Sequence, residues 1–281
     1  MSKHDDAVLT EIRYTARDAR HEYEKPYEMR YDTGGVIPTT NTTHESHTVT
    51  ILNFRSFQNE HNFSDYGFAV EKMGTIMTDE VFGNRKLIQE VYYPVLEKLL
   101  WQQFPSAAEV RILEYNLRSR HIQYPHFNHK VELEFSQPAT LAHIDYSLES
   151  AIRNACAVFK TPRESLKRVL TVNFWKSFQP GNDWPLALCD ARSLNHDTDT
   201  IDVDIVYHDR YTENETMYYD PGHDWYYVKD LGEDEILMFV QKDTDKPGGG
   251  GVAHTSFYNP LAKEDAPPRM SIEIRAYVAF K

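Results

Sequence analysis

Only two cysteines, Cys156 and Cys189, occur in 281 residues, too few for a disulfide framework, and no Cys-x-x-Cys pair offers a structural zinc site. No apolar run approaches the roughly twenty residues of a membrane-spanning helix. The opening stretch MSKHDDAVLTEIRY has no apolar centre of a signal peptide. A cytoplasmic protein is therefore expected, and the Asn-x-Ser/Thr triplets at Asn41, Asn62 and Asn214 are read as coincidence. Positive charge is also short: 30 Lys and Arg stand against 43 Asp and Glu, a formal net charge of −13. A field of that sign repels phosphate backbones and anionic lipid, so neither nucleic acid nor a membrane surface is an expected partner. There is no Gly-x-Ser-x-Gly elbow, no Gly-x-Gly-x-x-Gly after a strand, and no Lys-Ser/Thr after the glycines at 248–251. That glycine cluster reads instead as a flexible hinge before His254.

What the chain does have is aromatic residues, 13% with 18 tyrosines, which suit a β-rich core or an apolar pocket. Residues 1–78 are polar and broken by Gly34, Gly35 and Pro38, and read as a wrapping arm with short strands. An outer helix is expected within 79–105, with Asp79 as N-cap, a kink at Pro94 and a stop at Pro105. It carries two apolar rows, Leu87, Val91, Val95, Leu99 and Ile88, Tyr92, Leu96, Leu100, a face compatible with a homodimer. From 106 to 281 the pattern has period two. Strands are expected at 109–118, 130–135, 168–178, 201–207, 216–219, 225–229, 236–241, 252–257 and 270–280, with a helix at 147–159. Many short strands joined by turns indicate a sandwich or barrel, mostly β with flanking helices, in a single domain over 1–281.

Among thirteen histidines, the suggestive arrangement is His143-Ile144-Asp145 at the end of an apolar run. In extended chain, residues i and i+2 share a face, so an imidazole and a carboxylate could meet one metal ion. A second histidine would complete the 2-His-1-carboxylate face that leaves positions open in non-heme Fe(II) oxygenases. His254, 111 residues on, is the candidate, with His223 its competitor. The bland alternative is a hydrogen-bonded His143–Asp145 pair beside Ser147. An arginine further along would suit the distal carboxylate of 2-oxoglutarate, because its planar fork binds carboxylates bidentately. Arg275 and Glu273 share a strand face with Ser271, and a purely structural Arg275–Glu273 pair is the competing account. His126-x-x-His129 reads as a polar loop at a pocket mouth, His196 as solvated, the His4-Asp5-Asp6 tail as inert and Cys189 as a buried small residue.

Four blocks in order carry a family resemblance: Asn173-Phe174-Trp175, Pro185 to Ser193 (PLALCDARS), His254-Thr255-Ser256-Phe257, and Pro267 to Arg275 (PPRMSIEIR). The sequence resembles the fungal hydroxylase/desaturase family typified by the aspergillic-acid-cluster hydroxylase, which also takes in gibberellin desaturase-like proteins and the small protein of bacterial cephalosporin 7α-methoxylation. The resemblance implies a double-stranded β-helix (jelly-roll, cupin-like) core and Fe(II)/2-oxoglutarate-dependent oxidation of a small molecule by O2 in specialised metabolism. It implies His143, Asp145 and His254 as iron ligands. Arg275 would hold 2-oxoglutarate, with Arg269 and Ser271 as rivals or helpers and Asn173 and Arg192 bordering the cosubstrate. Tyr124, His126, Asn128 and Tyr146 are candidates for the substrate wall. Lys176 stands where relatives carry Arg, which puts any carboxylate contact there in question. Two other functions fit the same residues: a cupin-like dioxygenase or isomerase without 2-oxoglutarate, and a non-catalytic accessory partner of a biosynthetic enzyme.

Overall fold

A computed structural model describes residues 6–57, 63–128, 131–179, 181 and 183–281. His4, Asp5, Asn62, His129 and the start of the strand expected at 130 fall outside these. Among the described residues the strands, in chain order, are β1 (Val8–Thr15), β2 (Tyr27–Met29), β3 (His44–Asn53), β4 (Phe68–Lys72), β5 (Glu109–Ser119), β6 (His143–Ile144) and β7 (Arg168–Ser177). They continue as β8 (Leu186–Cys189), β9 (Thr200–Val206), β10 (Tyr211–Met217), β11 (Trp225–Tyr227), β12 (Glu235–Asp243), β13 (His254–Ser256) and β14 (Met270–Phe280). They form a nine-stranded sheet ordered β1-β3-β11-β8-β13-β6-β10-β9-β2 and a five-stranded sheet ordered β4-β12-β7-β14-β5.

The alternation in β14 explains the layering. Ile272, Ile274, Ala276 and Val278 point outward into a core shared with the outer helix, while Ser271, Glu273 and Arg275 point between the sheets. That interior is divided. One end is apolar, built from Phe68, Trp175, Leu188, Leu237, Phe239 and Val252; the other is polar and carries the site.

Several expectations are corrected. The arm contributes two long strands, β1 and β3, paired from Val8↔Ile51 to Thr15↔His44. Asp79 starts a short 3-10 turn, and the outer helix is capped by Asn84, whose side chain accepts from the Leu87 amide. The helix runs as Arg85–Leu87, a π-turn at Ile88–Tyr92 and Tyr93–Gln103. Pro94 cannot donate a backbone hydrogen bond, which accounts for the break just before it. Only the second apolar row is wholly buried; Val91 stays 43% exposed. Residues 131–135 form no strand and run on to a single bridge at Ser136.

The glycine stretch is pinned rather than loose. Lys242 is buried, its ammonium ion-pairs with Glu215, and it donates to Gly248 O and Gly250 O (both 3.3 Å). A buried ammonium must find acceptors, and this loop supplies them. At Gly251, φ is +115° and an added Cβ would sit 2.3 Å from Gln241 O. Gly251→Ala should therefore destabilise the protein by about 1–3 kcal/mol, read as a lowered thermal midpoint. An unchanged midpoint would contradict this reading of the loop.

Candidate metal centre

Sheet register brings the candidate ligands together. His254 of β13 pairs directly with His143 of β6, their rings 4.4 Å apart. Asp145 follows β6 where the chain turns toward the helix Leu148–Phe159, capped by Ser147. One ligand atom from each of His143, Asp145 and His254 lies within 4.8 Å of the other two. His223 is elsewhere, paired with Asp199 Oδ2 at 3.1 Å.

The histidine tautomers follow from their partners. A carbonyl oxygen only accepts, so His143 Nδ1 donates to Leu141 O (2.7 Å) and His254 Nδ1 to Val252 O (3.4 Å). Both Nε2 atoms are left to face Asp145. Burial, with His143 nearby, pulls the His254 pKa down to about 3, so it presents a neutral lone pair. His143 Nε2 lies 3.4 Å from Asp145 Oδ1. Two acceptors at that distance need a proton or a cation between them, and a metal ion can displace the proton.

Burial raises the pKa of Asp145, but the Arg275 charge and the contact with His143 outweigh it and hold the carboxyl well below its usual range. Its Oδ2 accepts from Asn173 Nδ2 (2.7 Å) and faces Arg275 Nη2 (3.3 Å), leaving Oδ1 toward the histidines. Gln241, fully buried on β12, accepts from the Asp145 amide (2.7 Å) and donates to Val252 O (3.3 Å), tying the two ligand segments together. Asn173 Oδ1 and Arg275 Nε remain buried without a protein partner. A neutral-imidazole and carboxylate donor set with its orientation fixed from behind fits a divalent transition metal.

The other candidates divide. Arg275 is committed to carboxylates, meeting Glu114 Oε1 at 3.2 Å and Glu273 Oε1 at 3.3 Å as well as Asp145. Arg269 is buried and touches no carboxylate among the described residues. It donates to Ser271 Oγ (3.0 Å), Trp184 O (3.0 Å) and Ser256 Oγ, with Trp175 5.1 Å from its guanidinium. Arg192 pairs with Asp190 and lies over Tyr66, away from the centre. Tyr146 lines a cavity of about 1090 Å³ that opens onto His143 and Asp145; Tyr124, His126 and Asn128 do not line it. Tyr124 donates to Pro138 O (2.8 Å), and His126 and Asn128 are exposed. His196 is buried against Glu215 (3.3 Å) instead of solvated, because its helical turn folds under the pinned glycine loop. Lys176 points to the opposite face from Asn173 and Trp175.

A family profile described as an oxidoreductase/YMDC permease-like domain matches residues 12–279. The chain belongs to that family. It is 28% identical over 276 residues to the hydroxylase/desaturase CTB9 of Cercospora beticola, covering 88% of this chain and 81% of that protein. It is 28% identical over 228 residues to the alpha-ketoglutarate-dependent dioxygenase phiK of a fungal species, covering 76% and 78%. These relatives bear out the resemblance to fungal hydroxylase/desaturases. The structure of the iron and alpha-ketoglutarate-dependent endoperoxidase NvfI superposes with a TM-score of 0.83 at 20% identity, covering 98% of each chain, which establishes the double-stranded β-helix fold. No helix among the described residues is long and apolar enough to cross a membrane.

Lys176 donates to Gly232 O (2.6 Å) and Glu235 O (3.0 Å), so it closes a turn rather than clamping a carboxylate. Burial, opposed by Glu235, lowers its pKa from 10.5 to about 8. Between those values the unfolded chain holds more protons than the folded one, so stability should rise with pH from about 8 toward 10.5. Denaturation of Lys176→Met across this range should show that rise flattened relative to wild type; equal slopes would contradict the assignment.

Proposed function

We propose that this protein is an Fe(II)- and 2-oxoglutarate-dependent oxygenase that hydroxylates, desaturates or cyclises a small molecule in specialised metabolism. The observation that carries the reading is the His143–Asp145–His254 constellation with its tautomers and carboxylate already oriented for a metal. The relatives named for hydroxylase, desaturase and dioxygenase activity support it. In this reading His143 Nε2, Asp145 Oδ1 and His254 Nε2 would hold Fe(II), which with 2-oxoglutarate and O2 would supply the oxidising power to attack an unactivated C–H bond.

The remaining residues position and shield. Arg275 keeps Asp145 ionised; Asn173 and Gln241 fix its orientation. Phe239, 5.1 Å from the His254 ring, closes the apolar side against water. We assign the distal carboxylate of 2-oxoglutarate to Arg269 rather than Arg275. Arg275 already meets three carboxylates, whereas Arg269 is a buried cation with only neutral partners and needs an anion. Ser256 and Ser271 aim its fork. Burial, with Arg118 nearby, lowers the Arg269 pKa to about 9, which leaves it charged at neutral pH. A buried arginine with no carboxylate contact favours this reading over a cosubstrate-independent dioxygenase or an accessory protein.

We retain the cytoplasm as the site of action, in keeping with the two free cysteines, and a homodimer through the outer helix, where Val91 and Trp101 are exposed.

Substrate-independent conversion of 2-oxoglutarate to succinate is the direct assay. Arg269→Gln should raise the apparent constant for 2-oxoglutarate about tenfold or more, the loss of one charged hydrogen-bond pair. His254→Ala should abolish turnover while the protein stays folded by circular dichroism. An Arg269→Gln constant equal to wild type would remove the carboxylate assignment, and full turnover in His254→Ala would remove the metal site.

A further inference from the structure

The cavity above the candidate metal centre has a charge opposite to that of the whole chain. Five arginines (Arg13, Arg30, Arg118, Arg210, Arg275) line it against three carboxylates, Glu28, Glu114 and Asp145, although the protein carries a net charge of −13. Most of this charge is spoken for. Arg30 pairs with Glu28, Arg210 with Asp209, and Arg275 with Glu114 and Asp145. Arg13 and Arg118 have no carboxylate partner among the described residues. Arg118 donates to Gln137 O (2.7 Å), and Arg13 Nη2 donates to His44 Nδ1 (2.8 Å).

Both arginines flank one segment of chain. Arg13 forms a backbone bridge to Leu141 and Arg118 one to Ser136, and residues 136–141 line the cavity with both arginines. Arg269 lies deeper. The Tyr124 hydroxyl, bonded to Pro138 O, feels the charges of Arg269, Arg118 and Arg13 together, which oppose the effect of its burial. Three guanidiniums with no direct carboxylate contact thus act on one hydroxyl, Arg13 and Arg118 from the cavity wall and Arg269 from outside its lining. The proposed cosubstrate carboxylate goes to Arg269, and Glu273 lies within electrostatic reach of both Arg118 and Arg269. Arg13 is left facing the cavity with no anion.

Its partner sharpens the site. Burial, and then the Arg13 charge, lower the pKa of His44, which keeps the ring neutral. Because Nδ1 accepts from Arg13, the hydrogen of the neutral ring is on Nε2. Arg13 and His44, on neighbouring strands β1 and β3 and both lining the cavity, thus offer a cationic fork and an imidazole N–H, with Thr42 beside them. This is a donor set for a carboxylate or another oxyanion.

We infer that the substrate of this enzyme is an organic anion whose acidic group is held by Arg13 and His44 at the cavity wall, while its reacting carbon faces the metal. The inference rests on the oxygenase reading above and adds the chemical class of its substrate.

The test uses a probe pair with one ring skeleton: 8-anilinonaphthalene-1-sulfonate, an anion, and N-phenyl-1-naphthylamine, its neutral counterpart. Fluorescence titrations are run on the full chain loaded anaerobically with Fe(II) and 2-oxoglutarate. Wild type should bind the anion more tightly than the neutral probe. Arg13→Gln should weaken the anion about tenfold, as expected for one charged contact, and leave the neutral probe unchanged. Arg13→Lys should recover part of the loss, and Arg153→Gln, outside the cavity, should change neither. Equal effects of Arg13→Gln on both probes, or none on the anion, would overturn the inference. Loss of anion binding when 2-oxoglutarate is added to protein holding Fe(II) alone would also overturn it, by giving Arg13 to the cosubstrate. The wild-type iron and 2-oxoglutarate titration, read separately, tells failure of this inference from failure of the oxygenase reading.

Discussion

The site depends on keeping one carboxylate charged inside a protein. Asp145 is buried between two sheets, where desolvation favours the neutral acid, and a neutral acid is a poor metal ligand. The guanidinium of Arg275 reverses that preference from 3.3 Å away. The dependence runs both ways, since the Asp145 charge in turn raises the pKa of Arg275 well above its ordinary value. Arg275 is thereby engaged as a counter-ion, whereas Arg269, just before the same strand, has no carboxylate contact among the described residues.

Labour is divided between the sheets. The nine-stranded sheet carries both histidines in adjacent, paired strands. The five-stranded sheet sends Asn173, Gln241 and Arg275 across the interior to hold Asp145 from behind. The buried Lys242–Glu215 pair links the two sheets next to this point, because Glu215 pairs in register with Ile144, between His143 and Asp145. Ligand geometry is set by backbone register and buried polar contacts, not by loop packing.

Much of this was legible in the chain. The period-two pattern located β14 at 270–280 without error, and the His-x-Asp spacing put two side chains on one face. His254 could be proposed from its place in order on a late strand. Other features left no local trace. Gln241 lies in a strand buried on both faces, so its apolar neighbours hide that it reaches across to the Asp145 amide. The choice between Arg269 and Arg275 turns on which one already has carboxylates beside it, and that is a property of the assembled barrel. Arg13 belongs to a polar stretch that looked like a peripheral arm and became a cavity wall only because β1 pairs with β3 beside residues 136–142. The π-turn before Pro94 shows the reverse case, in which a proline signal was plain but its structural answer was not.

If His143, Asp145 and His254 bind iron together with 2-oxoglutarate, the complex has a visible signature. The most direct measurement is an anaerobic titration of the metal-free protein with Fe(II) and then 2-oxoglutarate, followed by visible absorption. The expected result is a weak charge-transfer band that saturates at one iron per chain only after 2-oxoglutarate is added, and that is lost in His143→Ala. Iron binding without the band, or no iron binding at all, would contradict it.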